Sequence, residues 1–198
     1  MTDDSRKALI AATAAAALAA GVYAFINRRR LSASLTQTYN KIMTGKYFNL
    51  SQLTASATAK ARGIDNTPTA DAVAWLGKLI AKLDEVCGRF GSAIVVSSGY
   101  RCPALNSAVG GVSTSQHVKG QAADLVPASG NVADVGGIFL AALSVGGYDQ
   151  LIYEHNKKKG TRWVHISVSS SPKGQALAYD GTRYYALANP ATDYLQYA

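Results

Sequence analysis

From Ala70 onward the apolar residues Val73, Leu76, Leu79, Ile80, Leu83 and Val86 recur at steps of three and four, the pattern of one amphipathic helix running to near Gly88. A helix with one apolar stripe is stable only when another apolar surface covers it. After the helix the chain carries a series of short β-branched or alternating runs at 93–97, 122–126, 150–154 and 162–167, each bounded by turn residues and each too short for a helix. Residues 132–143 are mostly apolar and helix-like, and a short helix at 104–109 is ended by Gly110-Gly111. Asn49 opens a short helix, and Thr69 of the Asn66-Thr67-Pro68-Thr69 turn can cap the long one. Asp180-Gly181, between 176–179 and 183–186, marks a last hairpin. No internal repeat appears. The expected fold is α+β, with N-terminal helices packed on a small, mostly antiparallel sheet.

The 198 residues allow one domain and about fifty residues more. A hydrophobic content of 48% excludes intrinsic disorder, because burial of that much apolar surface offsets the entropy of ordering. The net charge of +8 invites a nucleic-acid reading, but its distribution argues against one. Residues 1–49 hold seven Lys/Arg against Asp3 and Asp4, and residues 50–198 hold thirteen against ten acids. No basic–aromatic interleaving appears outside the C-terminal tyrosines, so no nucleic-acid partner is expected.

Much of the N-terminal excess, including Arg28, Arg29 and Arg30, brackets an uncharged stretch at 8–26. As a helix its 19 residues span about 28 Å, close to the ~30 Å hydrocarbon core. Ten of the nineteen are Ala, so a cleaved signal with Ala17-Leu18-Ala19 at the cleavage site, or an Ala-rich helix packed in an assembly, competes with a membrane anchor. The expected layout is a hydrophobic N-terminal helix at 1–27 that reaches the membrane through 8–26, a basic and polar linker at 28–46, and a folded domain at 47–198. Cys87 and Cys102 form no disulfide framework; they read as two buried small hydrophobes, or as one bridge if the domain is exported.

Histidine is scarce: His117, His155 and His165. His117 precedes Asp124 by seven positions across Gly120, a segment able to leave a loop, turn and enter a strand with both side chains facing one cleft. His165 shares its strand face with Trp163 and Ser167. Two imidazoles and a carboxylate suit a catalytic Zn²⁺, although any one histidine taken alone is more often a satisfied core or surface residue. Glu85 and Glu154 are the only glutamates. If 150–154 and 162–167 pair as a hairpin, Glu154 comes opposite Trp163, one cross-strand step from His165, where it can act as general base. The competing role is an ion pair with Lys157 or Arg162. His155 alternates to the opposite face. Arg101, just after a strand, can hold a substrate carboxylate or an oxyanion, or else a salt bridge to Asp149 or the backbone.

Ser98-Gly99-Tyr100-Arg101, Leu105-Asn106 with Val109-Gly110-Gly111, Ser115-Gln116-His117 with Gly120 and Ala122-Ala123-Asp124, Tyr148-Asp149-Gln150-Leu151-Ile152 with Glu154, and Trp163-Val164-His165 stand in one order. In that order, over about 47–168, the chain resembles the zinc D-Ala-D-Ala carboxypeptidases and related phage endolysin peptidases, in their compact phage branch. The resemblance implies zinc held by His117, Asp124 and His165 and hydrolysis of a peptide bond in the peptidoglycan stem or cross-link. Arg101 would then bind substrate or stabilise the transition state, and Ser115 would touch substrate. Many relatives carry the catalytic carboxylate three residues before the last histidine, where this chain has Arg162. Glu154 is the glutamate able to replace it, with Asp149 in reserve. The Ala-rich segment is similar to the signal-anchor-release segments of some phage endolysins, which implies a membrane-anchored protein at the envelope of a bacterial host. It would equally suit a phage virion membrane, with virion assembly partners. The related hedgehog signalling domain implies the alternative, a non-catalytic zinc-containing structural or wall-binding component.

Overall fold

A computed structural model describes residues 43–198; the 8–26 stretch, the 1–27 helix and most of the 28–46 linker lie outside them. Among the described residues no helix is long and apolar enough to cross a membrane. The first of them are stitched to the long helix by Asp84, whose carboxylate accepts the backbone N–H groups of Lys46, Tyr47 and Phe48 at 2.5, 2.9 and 3.2 Å. α1 (Leu50–Thr54) starts at a capping box, in which the Asn49 side chain takes the Gln52 N–H and the Gln52 side chain takes the Asn49 N–H. α2 (Ala57–Arg62) comes next and ends on left-handed Gly63.

α3 (Ala70–Phe90) is the helix written by the apolar stripe, and Thr69 caps it by accepting the Ala72 N–H. It runs past Gly88 and stops at Gly91, whose φ of 75° only glycine adopts without strain. The extra turn is held by Phe90, which packs on the core. Leu76, Leu79 and Leu83 are fully buried, each contributing about 1.5–3 kcal/mol. They form part of one cluster with α5 (Asp134–Val145), against which α3 lies.

The sheet contains β1 (Ile94–Ser98), β2 (Ala122–Pro127), β3 (Gln150–Asn156), β4 (Thr161–Ser167), β5 (Gln175–Tyr179) and β6 (Tyr184–Ala186), in the spatial order β1-β2-β4-β3-β5-β6. Between β1 and β2 the short α4 (Pro103–Ala108) and a 3-10 turn (Gln116–Lys119) intervene. Four of the five pairings are antiparallel, but β3 and β5 run parallel, so the sheet is mixed. The cause is the 168–174 crossover. The chain leaves β4 at the end where β3 begins, passes beside Asp149, and therefore enters β5 in the direction of β3. Asp149 clamps that crossover, accepting from Ser169 Oγ at 3.1 Å and from the Lys173 N–H at 3.2 Å.

Alternation along the strands assigns the two faces. Ala123, Leu125, Leu151, Tyr153, Val164 and Ile166 are buried, and α5 crosses β2, β3 and β4. Phe139 of α5 meets Tyr153 edge-on at 6.0 Å, and Tyr194 of the C-terminal 3-10 turn (Tyr194–Tyr197) packs on both rings after α6 (Pro190–Asp193). The intervening residues, Asp124, Ile152, Glu154, His165, Leu177 and Tyr179, line a cleft.

Candidate metal centre

Three elements deliver one polar cluster to that cleft. His117 sits on the 3-10 turn, where Ser115, the residue capping it, accepts the His117 N–H at 3.3 Å. Left-handed Gly120, φ 72°, then turns the chain into β2. Asp124 of β2 and His165 of β4 are cross-strand partners, so the pairing register alone sets them side by side. His117 Nδ1 lies 2.7 Å from the Gly99 carbonyl. A carbonyl only accepts, so Nδ1 donates and Nε2 keeps its lone pair. Gly99 reaches this position because it has no side chain: a Cβ there would collide with the Leu53 carbonyl, which also accepts the Tyr100 N–H at 2.7 Å.

His117 Nε2, His165 Nδ1 and Asp124 Oδ1 form a triangle with sides of 3.3, 3.0 and 3.3 Å. All three residues are buried, at 4, 8 and 8% exposure. Two of the atoms carry only lone pairs, and one proton on His165 Nδ1 can satisfy just one of them at a time. A divalent cation satisfies all three. Bonds of about 2.0–2.1 Å in a tetrahedron put ligand atoms roughly 3.3 Å apart, so the residues fit zinc with a fourth position open to the cleft. Among the described residues this is the group able to hold a metal ion.

Arg101 does not pair with Asp149. Its guanidinium donates to Asp124 Oδ2 at 2.8 Å and to Ser98 Oγ at 2.9 Å while lining the cleft. Asp124 therefore turns one oxygen to the histidines and the other to a cation. Burial alone would push its carboxyl up, but when His117 and His165 carry protons their charges and hydrogen bonds hold it well below the usual carboxylate range.

Glu154 faces the same cleft and pairs with Trp163, the register expected of the hairpin. Its carboxyl is pushed up to about 7, chiefly by burial and then by the charge of Asp124, against the opposing pull of His165, a hydrogen bond from Trp163 and the charge of Arg101. No ion pair joins Glu154 to Lys157 or Arg162 among the described residues. Arg162 pairs with His155 on the other face, where its Nε is buried without a hydrogen-bond partner among the described residues. His155 bonds the Tyr197 carbonyl at 2.9 Å, away from the cleft. Ser115 lines the cleft as well as capping the turn.

Asp149 is fully committed. Besides the crossover it accepts from Gln116 Nε2 at 2.8 Å, tying the turn that carries His117 to the start of β3. Gln116 and Ser98 stand in the sequence motifs without a role of their own, and adjacency to His117 and Arg101 was the available signal. Cys87 and Cys102 are buried free thiols, and Cys102 Sγ accepts the Leu105 N–H at the start of α4.

The cleft has a volume of about 930 Å³. Val109, Gly110, Gly111 and Val112 also line it, as do residues of β5 and β6. A family model described as Peptidase M15 matches residues 46–167, more than half of the chain. No curated protein matches it.

Proposed function

The chain belongs to the Peptidase M15 family of zinc-dependent metallopeptidases, and from that premise we propose that it hydrolyses peptide bonds in the stem or cross-link of peptidoglycan, as a D,D-carboxypeptidase or endopeptidase. The observation that carries the proposal is the convergence of His117 Nε2, Asp124 Oδ1 and His165 Nδ1 at 3.0–3.3 Å in a cleft that also holds Glu154.

His117, Asp124 and His165 would hold the zinc. When bound, zinc polarises a carbonyl and acidifies water. The Gly99 carbonyl fixes the His117 tautomer that leaves Nε2 free to ligate. Arg101 neutralises the second oxygen of Asp124 and keeps the carboxylate pointed at the histidines, and its position on the cleft wall also lets it face a developing oxyanion. Glu154, facing the same cleft, takes a proton from the attacking water on its carboxylate and returns it to the leaving amine. Ser115 contributes a hydroxyl to the substrate wall.

The domain would work at the bacterial envelope, tethered through 8–26, as a phage-derived lytic enzyme acting at entry or at exit. Incubating the zinc-loaded full-length protein with purified peptidoglycan, followed by mass spectrometry of the soluble fraction, tests the chemistry. New muropeptide termini or free D-Ala are expected, and chelation abolishes them. Stoichiometric zinc with no change in the wall would leave a non-catalytic wall-binding protein instead.

A further inference from the structure

Cross-strand register arranges the floor of the cleft in two rows. In the first, Asp124 pairs with His165, His165 with Ile152, Ile152 with Leu177, and Leu177 with Ala186. The second runs beside it: Trp163, Glu154, Tyr179, Tyr184. Every one of these residues lines the cleft. The metal ligands thus continue into an apolar lane of Ile152, Leu177 and Ala186, edged by the stacked rings of Tyr179 and Tyr184 with centroids 4.5 Å apart. From β4 to β6 the lane crosses three strand spacings, about 14 Å, enough for roughly four residues of extended peptide. It opens at β6, the edge strand of the sheet.

Most of the outer half of this lane lies beyond the family match, which ends at residue 167, whereas β5 and β6 span Gln175–Tyr179 and Tyr184–Ala186. The hairpin is rigidly built. Asp180 accepts the Thr182 and Arg183 N–H groups at 2.9 and 3.1 Å and the Tyr185 hydroxyl at 2.8 Å, and Arg183 Nε donates to the same hydroxyl at 2.7 Å. A preformed wall of this kind binds with a smaller ordering cost.

We propose that the β5–β6 hairpin is a specificity element that holds the substrate peptide several residues beyond the cleaved bond, with Tyr179, Tyr184 and Ala186 selecting cross-linked or otherwise extended stem peptides over short ones. The occupant is peptide with small apolar side chains, because the lane is a continuous apolar strip leading out of the metal centre. Its charge agrees. Arg101 is the one guanidinium or ammonium among the described lining residues, and Asp124 and Ser98 already engage it, so the floor suits an internal peptide better than a free terminal carboxylate. The inference rests on the peptidase reading above and narrows it to endopeptidase action.

The test compares a soluble cross-linked muropeptide dimer with the un-cross-linked stem pentapeptide. Affinities come from calorimetry on the zinc-loaded full-length Glu154→Gln protein, and hydrolysis rates from the zinc-loaded parent. The dimer is expected to bind about tenfold tighter than the pentapeptide, with the advantage reduced to near unity by Tyr179→Ser/Tyr184→Ser. Ala186→Glu, on an exposed edge position, should block the same lane without removing the rings, which keeps the test open if the tyrosine variant folds poorly. Equal binding of dimer and pentapeptide by the unmodified hairpin overturns the inference. So does a preference that survives Ala186→Glu, or a peptide-free disaccharide that binds as tightly as the dimer. A length preference that the hairpin variants erase, without hydrolysis by the parent, would sink the peptidase reading and leave the lane intact.

Discussion

Replacing Glu154 by Gln separates the tuning of this carboxyl from its chemistry, and the two effects have opposite signs. In the folded protein the carboxyl is raised from 4.5 to about 7, with burial the largest cause. Between those values the native state holds a proton that the unfolded chain has released, so this group lowers stability as pH rises from about 4.5 to 7 and leaves it lowered above 7. The gap corresponds to roughly 3 kcal/mol in favour of the protonated form, and solvent reaching the cleft reduces it to about 1–3 kcal/mol. Glu154→Gln keeps the shape and removes the ionisation. Near pH 4.5 the variant should match the parent, and at pH 8 it should be more stable by that amount, a rise in Tm of about 3–10 °C for a chain of this length.

The assay is thermal unfolding of both proteins across this pH range in chelator, so that no metal charge acts on the carboxyl. In parallel, the zinc-loaded variant should lose about 10²–10⁴-fold in turnover while keeping its metal. Equal or lower stability of the variant at pH 8 would refute the burial argument. Full turnover by Glu154→Gln would move the base elsewhere.

Other perturbations address the scaffold of the site. His117→Ala should no longer hold stoichiometric zinc by elemental analysis, and metal retained at one equivalent would remove the ligand assignment. Arg101→Met leaves the Asp124 carboxylate buried without its cation and should cost about 2–4 kcal/mol in urea unfolding of the metal-free protein. Gly99→Ala forces a methyl into the Leu53 carbonyl and should cost about 2 kcal/mol or more while weakening zinc binding through His117. Asp149→Ala strands three donors, from Gln116, Ser169 and Lys173, and should destabilise by about 2–4 kcal/mol without removing a group from the cleft.

Periodicity made the elements legible. The stripe from Val73 to Val86 placed α3, and the short alternating runs placed the strands, because burial on one side imposes a period of 3.6 or 2 on any sequence. The hairpin reading put Glu154 opposite Trp163 from turn length alone, as observed. The grouping of His117 and His165 with Asp124 was legible for a different reason: with three histidines in the chain few constellations existed to choose among, and the family resemblance singled out the aspartate. The parallel pairing of β5 with β3 was hidden, because a crossover of seven residues carries no period, and its direction depends on where Asp149 anchors it.

Asp149 shows why the remaining part of the site resisted a reading from sequence. As a carboxylate beside the motif residues it qualified as a reserve base by type and position. Its three hydrogen bonds join Gln116 before β2, Ser169 after β4 and Lys173 before β5, segments up to 57 positions apart that become neighbours only after the sheet has formed. The same holds for Arg101, where the partner chosen by the fold is Asp124 and the effect is to aim a ligand oxygen. Residue type restricts what a side chain can do, and the register of β2 with β4 and of β3 with β5 decides which of those tasks it is given. The hairpin beyond residue 167 extends this point to specificity. Tyr179 and Tyr184 become cleft residues only because β5 joins the sheet beside Glu154, so a shift of one residue in that pairing would turn both rings to the opposite face and end the lane at Ile152.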